Sequence, residues 1–131
     1  MAEERKYKIL LIADKDPFGN VITKELNEAG FEASVVEVEY YGNYDEVLTG
    51  LIRTKPDLVI ATNNGIPPGV ILEIIPLIKR TCPGIGLMVL SGYATLPFAK
   101  ELKKLGLHEF FALPYDLNDV LGGINRILDQ H

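Results

Sequence analysis

Five short apolar runs rich in β-branched residues alternate along this chain with five longer segments of helical period. That alternation is the signature of βαβ units and a parallel sheet. The first run is Tyr7 to Ala13. Asp16 is then placed to cap a helix with Pro17 at its first position, and Phe18, Val21, Ile22, Leu26 and Ala29 follow at helical spacing until Gly30. The second run, Phe31 to Tyr40, carries Glu32, Glu37 and Glu39, charges unsuited to a strand covered on both faces, so it is predicted at an edge. Asn43 and Glu46 form a capping box for a helix with the stripe Tyr44, Val47, Leu48, Leu51 and Ile52.

The third run, Asp57 to Thr62, is almost wholly apolar and is predicted to be central. A turn-rich loop from Asn63 to Gly69 leads to a helical segment over Val70 to Arg80. The fourth run is Ile85 to Leu90. Thr95 then caps a helix presenting Phe98, Ala99, Leu102 and Leu105, which stops at Gly106. The fifth run is Glu109 to Leu113, and Asp116 caps a last helix with the stripe Leu117, Val120, Leu121, Ile124, Ile127 and Leu128. Five units cannot close a barrel of eight. They predict an open, doubly wound sheet with helices on both faces, since each crossover is right-handed.

Composition fits one globular domain over residues 1–131, with 47% hydrophobic and 24% charged residues. A net charge of −5 argues against nucleic-acid binding, which relies on clustered Lys and Arg. Lys100, Lys103 and Lys104 sit beside Glu101 and read as a solvated helix face. The single cysteine, Cys82, excludes an internal disulfide and suits a reducing compartment. Met1 to Lys8 is charged and leads into only five apolar residues, too few for a signal peptide or a membrane span, so a cytoplasmic, membrane-free protein is expected. His108 and His131 have no Cys or His partners at ligand spacing, so no metal site is expected. A Gly-rich phosphate loop, a nucleophile elbow and a Ser-His-Asp set are likewise missing, which predicts a non-enzyme without a cofactor.

In open parallel sheets, function collects at the carboxyl ends of the strands. Here those ends are Asp14 to Asp16, Thr62 to Gly65, Ser91 to Tyr93 and Leu113 to Tyr115. Four segments, ILLIADKDP (Ile9 to Pro17), KPDLVI (Lys55 to Ile60), PGIGLMVLSGYA (Pro83 to Ala94) and PYDLNDVLGGINRIL (Pro114 to Leu128), occur in an order and separation that resembles the receiver domain of two-component response regulators. The resemblance implies a flavodoxin-like (βα)5 fold with strand order 2-1-3-4-5. It also implies an acidic pair holding Mg²⁺ after the first strand, an acceptor aspartate after the third, a gripping lysine before the proline of the fifth loop, and a switch made of a Ser or Thr with an aromatic residue.

Carried onto this chain, the acidic pair falls on Asp14 and Lys15, the acceptor on Thr62 and the gripping lysine on Leu113, so the reaction positions are degenerate. The switch positions, Ser91 and Phe110, and the loop residue Pro114 still match. The chain from Gly30 to Pro56 is also longer than the resemblance implies, with the extra length near Glu37 to Asn43. Phosphoryl transfer needs a positioned nucleophile and cations to neutralise the phosphate oxygens. A threonine without a base is a poor nucleophile, Lys15 removes a metal carboxylate, and Leu113 forgoes a charge-assisted hydrogen bond of roughly 1.5–3 kcal/mol. Two readings of Lys15 stay open: its ammonium sits between Asp14 and Asp16 in place of the metal, or it points to solvent. The run Asp14 to Gly19 also echoes the Asp-x-His-x-x-Gly loop of cobalamin-binding domains, but Asp16 stands where the cobalt-ligating histidine belongs.

The functional expectation is a phosphorylation-independent signalling module acting through protein contacts over the fourth and fifth strands and their helices. The alternative is a module binding a small anionic ligand at Asn63, Asn64 and Gly65 with Ser91, Gly92 and Tyr93, where backbone N–H groups near helix starts receive negative charge. Val70 to Ile78 is apolar beyond one stripe, which marks Ile71, Ile74, Ile75 and Ile78 either as a partner or self-association surface or as a deeply buried helix. Tyr40, Tyr41 and Tyr44 form a recognition patch or pack over the sheet's rim. Gly122 and Gly123 inside the last helix imply close packing or local flexibility.

Overall fold

Each apolar run forms a strand in the computed structural model, which describes residues 6–14, 17–38, 44–63 and 68–129. The strands are β1 (Lys8–Ala13), β2 (Glu32–Glu37), β3 (Leu58–Asn63), β4 (Gly86–Ser91) and β5 (Glu109–Ala112). All pair in parallel, in the order β2-β1-β3-β4-β5. The helices between and after them are α1 (Pro17–Glu28), α2 (Asp45–Thr54), α3 (Pro68–Thr81), α4 (Leu96–Lys104) and α5 (Leu117–Asp129). This is the flavodoxin-like arrangement expected from the sequence.

Alternation of side chains along each strand divides the core in two. Leu10, Ile12, Val59, Ala61, Leu87 and Val89 face α2, α3 and α4. Ile9, Leu11, Leu58, Ile60, Met88 and Leu90 face α1 and α5. The glutamates of β2 stand exposed at the sheet's edge, as expected. Both central strands run one residue beyond their apolar runs. Polar Asn63 and Ser91 each keep a ladder partner in the other, next to the Thr62–Leu90 pair.

The interface expectation for α3 needs correction. Ile71, Ile74, Ile75 and Ile78 are fully buried. The helix lies against β3 with α2 on one flank and α4 on the other, so its surroundings demand apolar residues on more than one face. Pro76 lies within the helix without ending it.

Helix ends also depart in places from the expectation. The α4 cap is as predicted, with the Phe98 N–H donating to Thr95 Oγ1 at 3.3 Å. Asp116 likewise accepts from the Asn118 N–H at 2.8 Å. In contrast, α2 starts from Tyr44 without a side-chain cap, and Asn43, like Glu39, Tyr40 and Tyr41, lies outside the described residues. Tyr44 itself donates its hydroxyl to Glu73 on α3. Val21 and Ile52, placed on buried stripes by their spacing, are exposed, because each helix is covered only by the sheet and its immediate neighbours. Of the two glycines in α5, Gly123 meets Met88 and Phe111 so closely that a Cβ would lie 2.9 Å from each, whereas a Cβ at Gly122 would make only an ordinary contact, 3.5 Å from the Arg126 guanidinium. His108 accepts the Leu87 N–H on Nδ1 at 3.1 Å and so helps to seat β5 on β4.

Candidate functional site at the carboxyl ends of the strands

The Asn63–Ser91 pair fixes what stands at the centre of the strand ends. Continuing the β1–β3 register two residues beyond Ile12–Ala61 brings Asp14 beside Asn63. By alternation all three side chains belong to the α2–α4 side of the sheet, directly above Ile12, Ala61 and Val89. Asp14 is 7% exposed, Asn63 2% and Ser91 fully buried. A row of carboxylate, amide and hydroxyl therefore crosses three strands with little access to water.

Thr62 is not in this row. It falls on the α1/α5 side with Leu58 and Ile60, fully buried, and its hydroxyl donates to the Ile12 carbonyl across β1 at 3.5 Å. Leu113 also belongs to the α1/α5 side, packed with that half of the core. Its backbone N–H donates to the Ser91 carbonyl at 2.9 Å, and the Gly92 N–H donates to the Asn63 carbonyl at 3.1 Å, which zips the strand ends together. The peptide bond between Leu113 and Pro114 is cis. Lys15 and Asp16 lie outside the described residues, as do Asn64 and Gly65 of the candidate ligand loop.

Ser91 begins a second feature. Its Oγ accepts the Tyr93 N–H at 2.9 Å, a side-chain turn that sets the direction of the loop into α4. The Tyr93 ring meets Phe98 edge to face at 5.7 Å between centroids, and Phe98 meets Phe110 in the same manner at 6.0 Å. Ser91 and Phe110, placed together by the resemblance, are thus joined through Tyr93 and Phe98. Spacing alone offers no sign of that bridge except the stripe residue Phe98. Tyr93 and Leu96 are exposed, at 49% and 67%. Together with exposed Pro97, Lys100, Lys103 and Lys104 they make the outer surface beside β5.

Across the rim, Tyr115 packs against α1. Its ring stands edge to face with Phe18 at 5.9 Å, and its hydroxyl donates to Glu25. Burial, then the bond to Glu25 and that residue's negative charge, push the Tyr115 hydroxyl above its ordinary range.

The Mg²⁺ implied by the resemblance finds a poor match in this donor set. Hard divalent cations take several oxygen ligands, usually with more than one carboxylate. Among the described residues the row supplies one carboxylate, Asp14, and no group of three or more His, Cys, Asp or Glu side chains is arranged to hold a metal.

Comparison with known proteins gives the following. No protein-family model matches the chain. Curated relatives match along about nine tenths of it. The DNA-binding transcriptional regulator NtrC of Azospirillum brasilense is 28% identical over 123 residues, 93% of this chain and 24% of NtrC. The sporulation initiation phosphotransferase F of Bacillus subtilis is 24% identical over 121 residues, 92% of this chain and 93% of the relative. The photosynthetic apparatus regulatory protein RegA of Rhodovulum sulfidophilum is 21% identical over 127 residues, 92% of this chain and 66% of RegA. The chain thus spans a little under two thirds of one of these relatives and a quarter of another.

Among solved structures, a response regulator receiver domain protein from Clostridium thermocellum superposes with a TM-score of 0.79 at 24% identity, covering 95% of each chain. A CheY-like receiver domain protein from Methanospirillum hungatei gives 0.77 at 22% identity, covering 95% of this chain and 96% of that one. A response regulator from Burkholderia pseudomallei, solved with a phosphorylated aspartic acid, a calcium ion and citrate, gives 0.78 at 20% identity over 95% of this chain and 70% of that one. Strand order, the five-unit alternation and sequence similarity along almost the whole chain together support a response-regulator receiver (CheY-like) domain.

Proposed function

We propose that this chain is a receiver-like module of two-component signalling that works without being phosphorylated and acts in the cytoplasm, not as an enzyme but through protein contacts over α4 and β5. The observation that carries the reading is the composition of the strand-end row. Asp14 stands there with an amide and a hydroxyl, and Leu113, the residue at the position the resemblance gives to a lysine, packs on the opposite side of the sheet. Acyl phosphates react with a carboxylate that cations relieve of repulsion, and among the described residues the row holds one carboxylate, Asp14, beside an amide and a hydroxyl. The run from Ser91 through Tyr93 and Phe98 to Phe110 is held by ring contacts and by the Tyr93 N–H donating to Ser91 Oγ, interactions that need no charged group.

The partner surface is the exposed flank of α4, with Tyr93 and Leu96 as apolar anchors. The comparisons favour signalling over the small-ligand alternative. The test is incubation with acetyl phosphate and Mg²⁺ followed by intact mass spectrometry. No phosphoryl adduct is expected, and an adduct on the wild-type chain refutes the proposal.

A further inference from the structure

We infer that the side chain of Asn27 closes the open edge of the sheet in place of a further strand, and that it keeps a second copy of this chain from pairing there edge to edge. The inference stands apart from the function proposed above. It starts from the backbone groups along β2, where the N–H groups of Glu32 and Val38 donate to the Tyr7 and Ala13 carbonyls of the β1 side at 2.9 and 2.8 Å. Alternate residues of a strand aim their N–H and C=O at opposite edges. Those of Ala33, Val35 and Glu37 therefore point away from the sheet, to the side where no strand lies among the described residues. A bare edge of this kind is a template for another chain. Ala33 is not bare. Its N–H donates to Asn27 Oδ1 at 2.9 Å, and its carbonyl accepts from Asn27 Nδ2 at 3.1 Å. One side-chain amide thus makes with Ala33 the pair of bonds that a residue of a neighbouring antiparallel strand would make. Asn27 Nδ2 also donates to the Thr23 carbonyl at 3.0 Å, which fixes the amide to the last turn of α1. Asn27 is exposed, so it covers backbone that a second molecule would otherwise reach.

The occupant kept out is a second copy, because β2 is complementary to itself. A two-fold antiparallel ladder centred on Val35 pairs Val35 with its own copy and Ala33 with Glu37 of the second copy, which joins β-branched side chains and sets no glutamate opposite another. Both outer pairs need the groups of Ala33 that Asn27 holds. The central pair alone is too short a ladder to last in water.

The experiment follows sedimentation and residue-resolved amide exchange from about 10 μM to about 1 mM protein. It compares the wild type, Asn27→Ala, Asn27→Asp and the double variant Asn27→Ala with Val35→Pro. Proline at position 35 removes an outward N–H and no bond to β1, so it blocks the centre of the ladder and spares the sheet. Asn27→Ala is expected to gain a dimer as concentration rises, with exchange at Val35 and Glu37 slowed about tenfold. In the wild type and the double variant those two amides are expected to exchange at a rate independent of concentration. Asn27→Asp also loses the Nδ2 donor, but it sets a negative charge beside the place of Glu37 of a second copy, so it is expected to lose stability and stay unpaired at this edge. That variant separates a guard of the edge from a mere staple between α1 and β2. Should Asn27→Ala not fold by circular dichroism, Asn27→Ser, too short to reach both groups of Ala33, takes its place under the same criteria. A folded variant without concentration-dependent protection at Val35 and Glu37 overturns the inference. Equal protection in the wild type, in Asn27→Asp or in the double variant overturns it as well.

Discussion

On the β1–β3 half of the strand-end rim, Asp14 and Asn63 are polar side chains shut in beneath helices, whereas on the β4–β5 half Ser91 leads through Tyr93, Phe98 and Phe110 toward solvent. The first half sets a carboxylate beside an amide, out of reach of water. The second is held by edge-to-face rings and a single turn hydrogen bond, interactions that do not depend on charge next door. On the function proposed above, a domain of this fold parts with its chemistry and keeps its contact surface, because the two are stabilised by different forces.

The contrast breaks most visibly at Phe98, the 4%-exposed ring that touches both Tyr93 and Phe110. Phe98→Ala is expected to cost about 3–5 kcal/mol in urea unfolding through the cavity it leaves. Ser91→Ala removes the acceptor for the Tyr93 N–H. It should cost about 1 kcal/mol in the same assay and loosen the Tyr93 ring, read as a sharper amide-exchange rate at residues 93 to 95.

Tyr115 sharpens the comparison on the α1 side. Its hydroxyl is held above the ordinary value of 10.0 by burial and by Glu25, so the folded state favours the protonated form. That contribution to stability is fully present below the unfolded value and is lost as pH rises through the higher folded one. The difference in urea midpoint between the wild type and Tyr115→Phe should accordingly stay constant up to about pH 10 and shrink above it. The smallest effect is expected for Thr62→Val. The Thr62 hydroxyl bond of 3.5 Å is at the limit of a hydrogen bond, so unfolding should shift by less than about 1 kcal/mol. A large loss there would return Thr62 to the centre of the site.

Much of this was readable along the chain. Thr95 and Asp116 cap α4 and α5 where short-range signals placed them, and Gly30 and Gly106, both with φ near +100°, end α1 and α4. The apolar runs are the strands, and charged β2 lies at the edge. What could not be read depends on distant neighbours. The isoleucines of α3 look like a surplus face until α2 and α4 are seen on either side. Val21 and Ile52 have the spacing of buried residues but no element over them. Tyr115 finds Glu25 at a separation of 90 residues, beyond any local pattern.

Periodicity, capping and turn chemistry act between residues a few positions apart, so the five strand-and-helix units, their parallel sheet and the resemblance to receivers are legible along the chain. Which polar side chain of β3 stands beside Asp14 and Ser91 is settled by the assembled sheet. That choice rests on the register of three strands drawn from distant parts of the chain, and in a strand a shift of one residue turns every side chain to the opposite face.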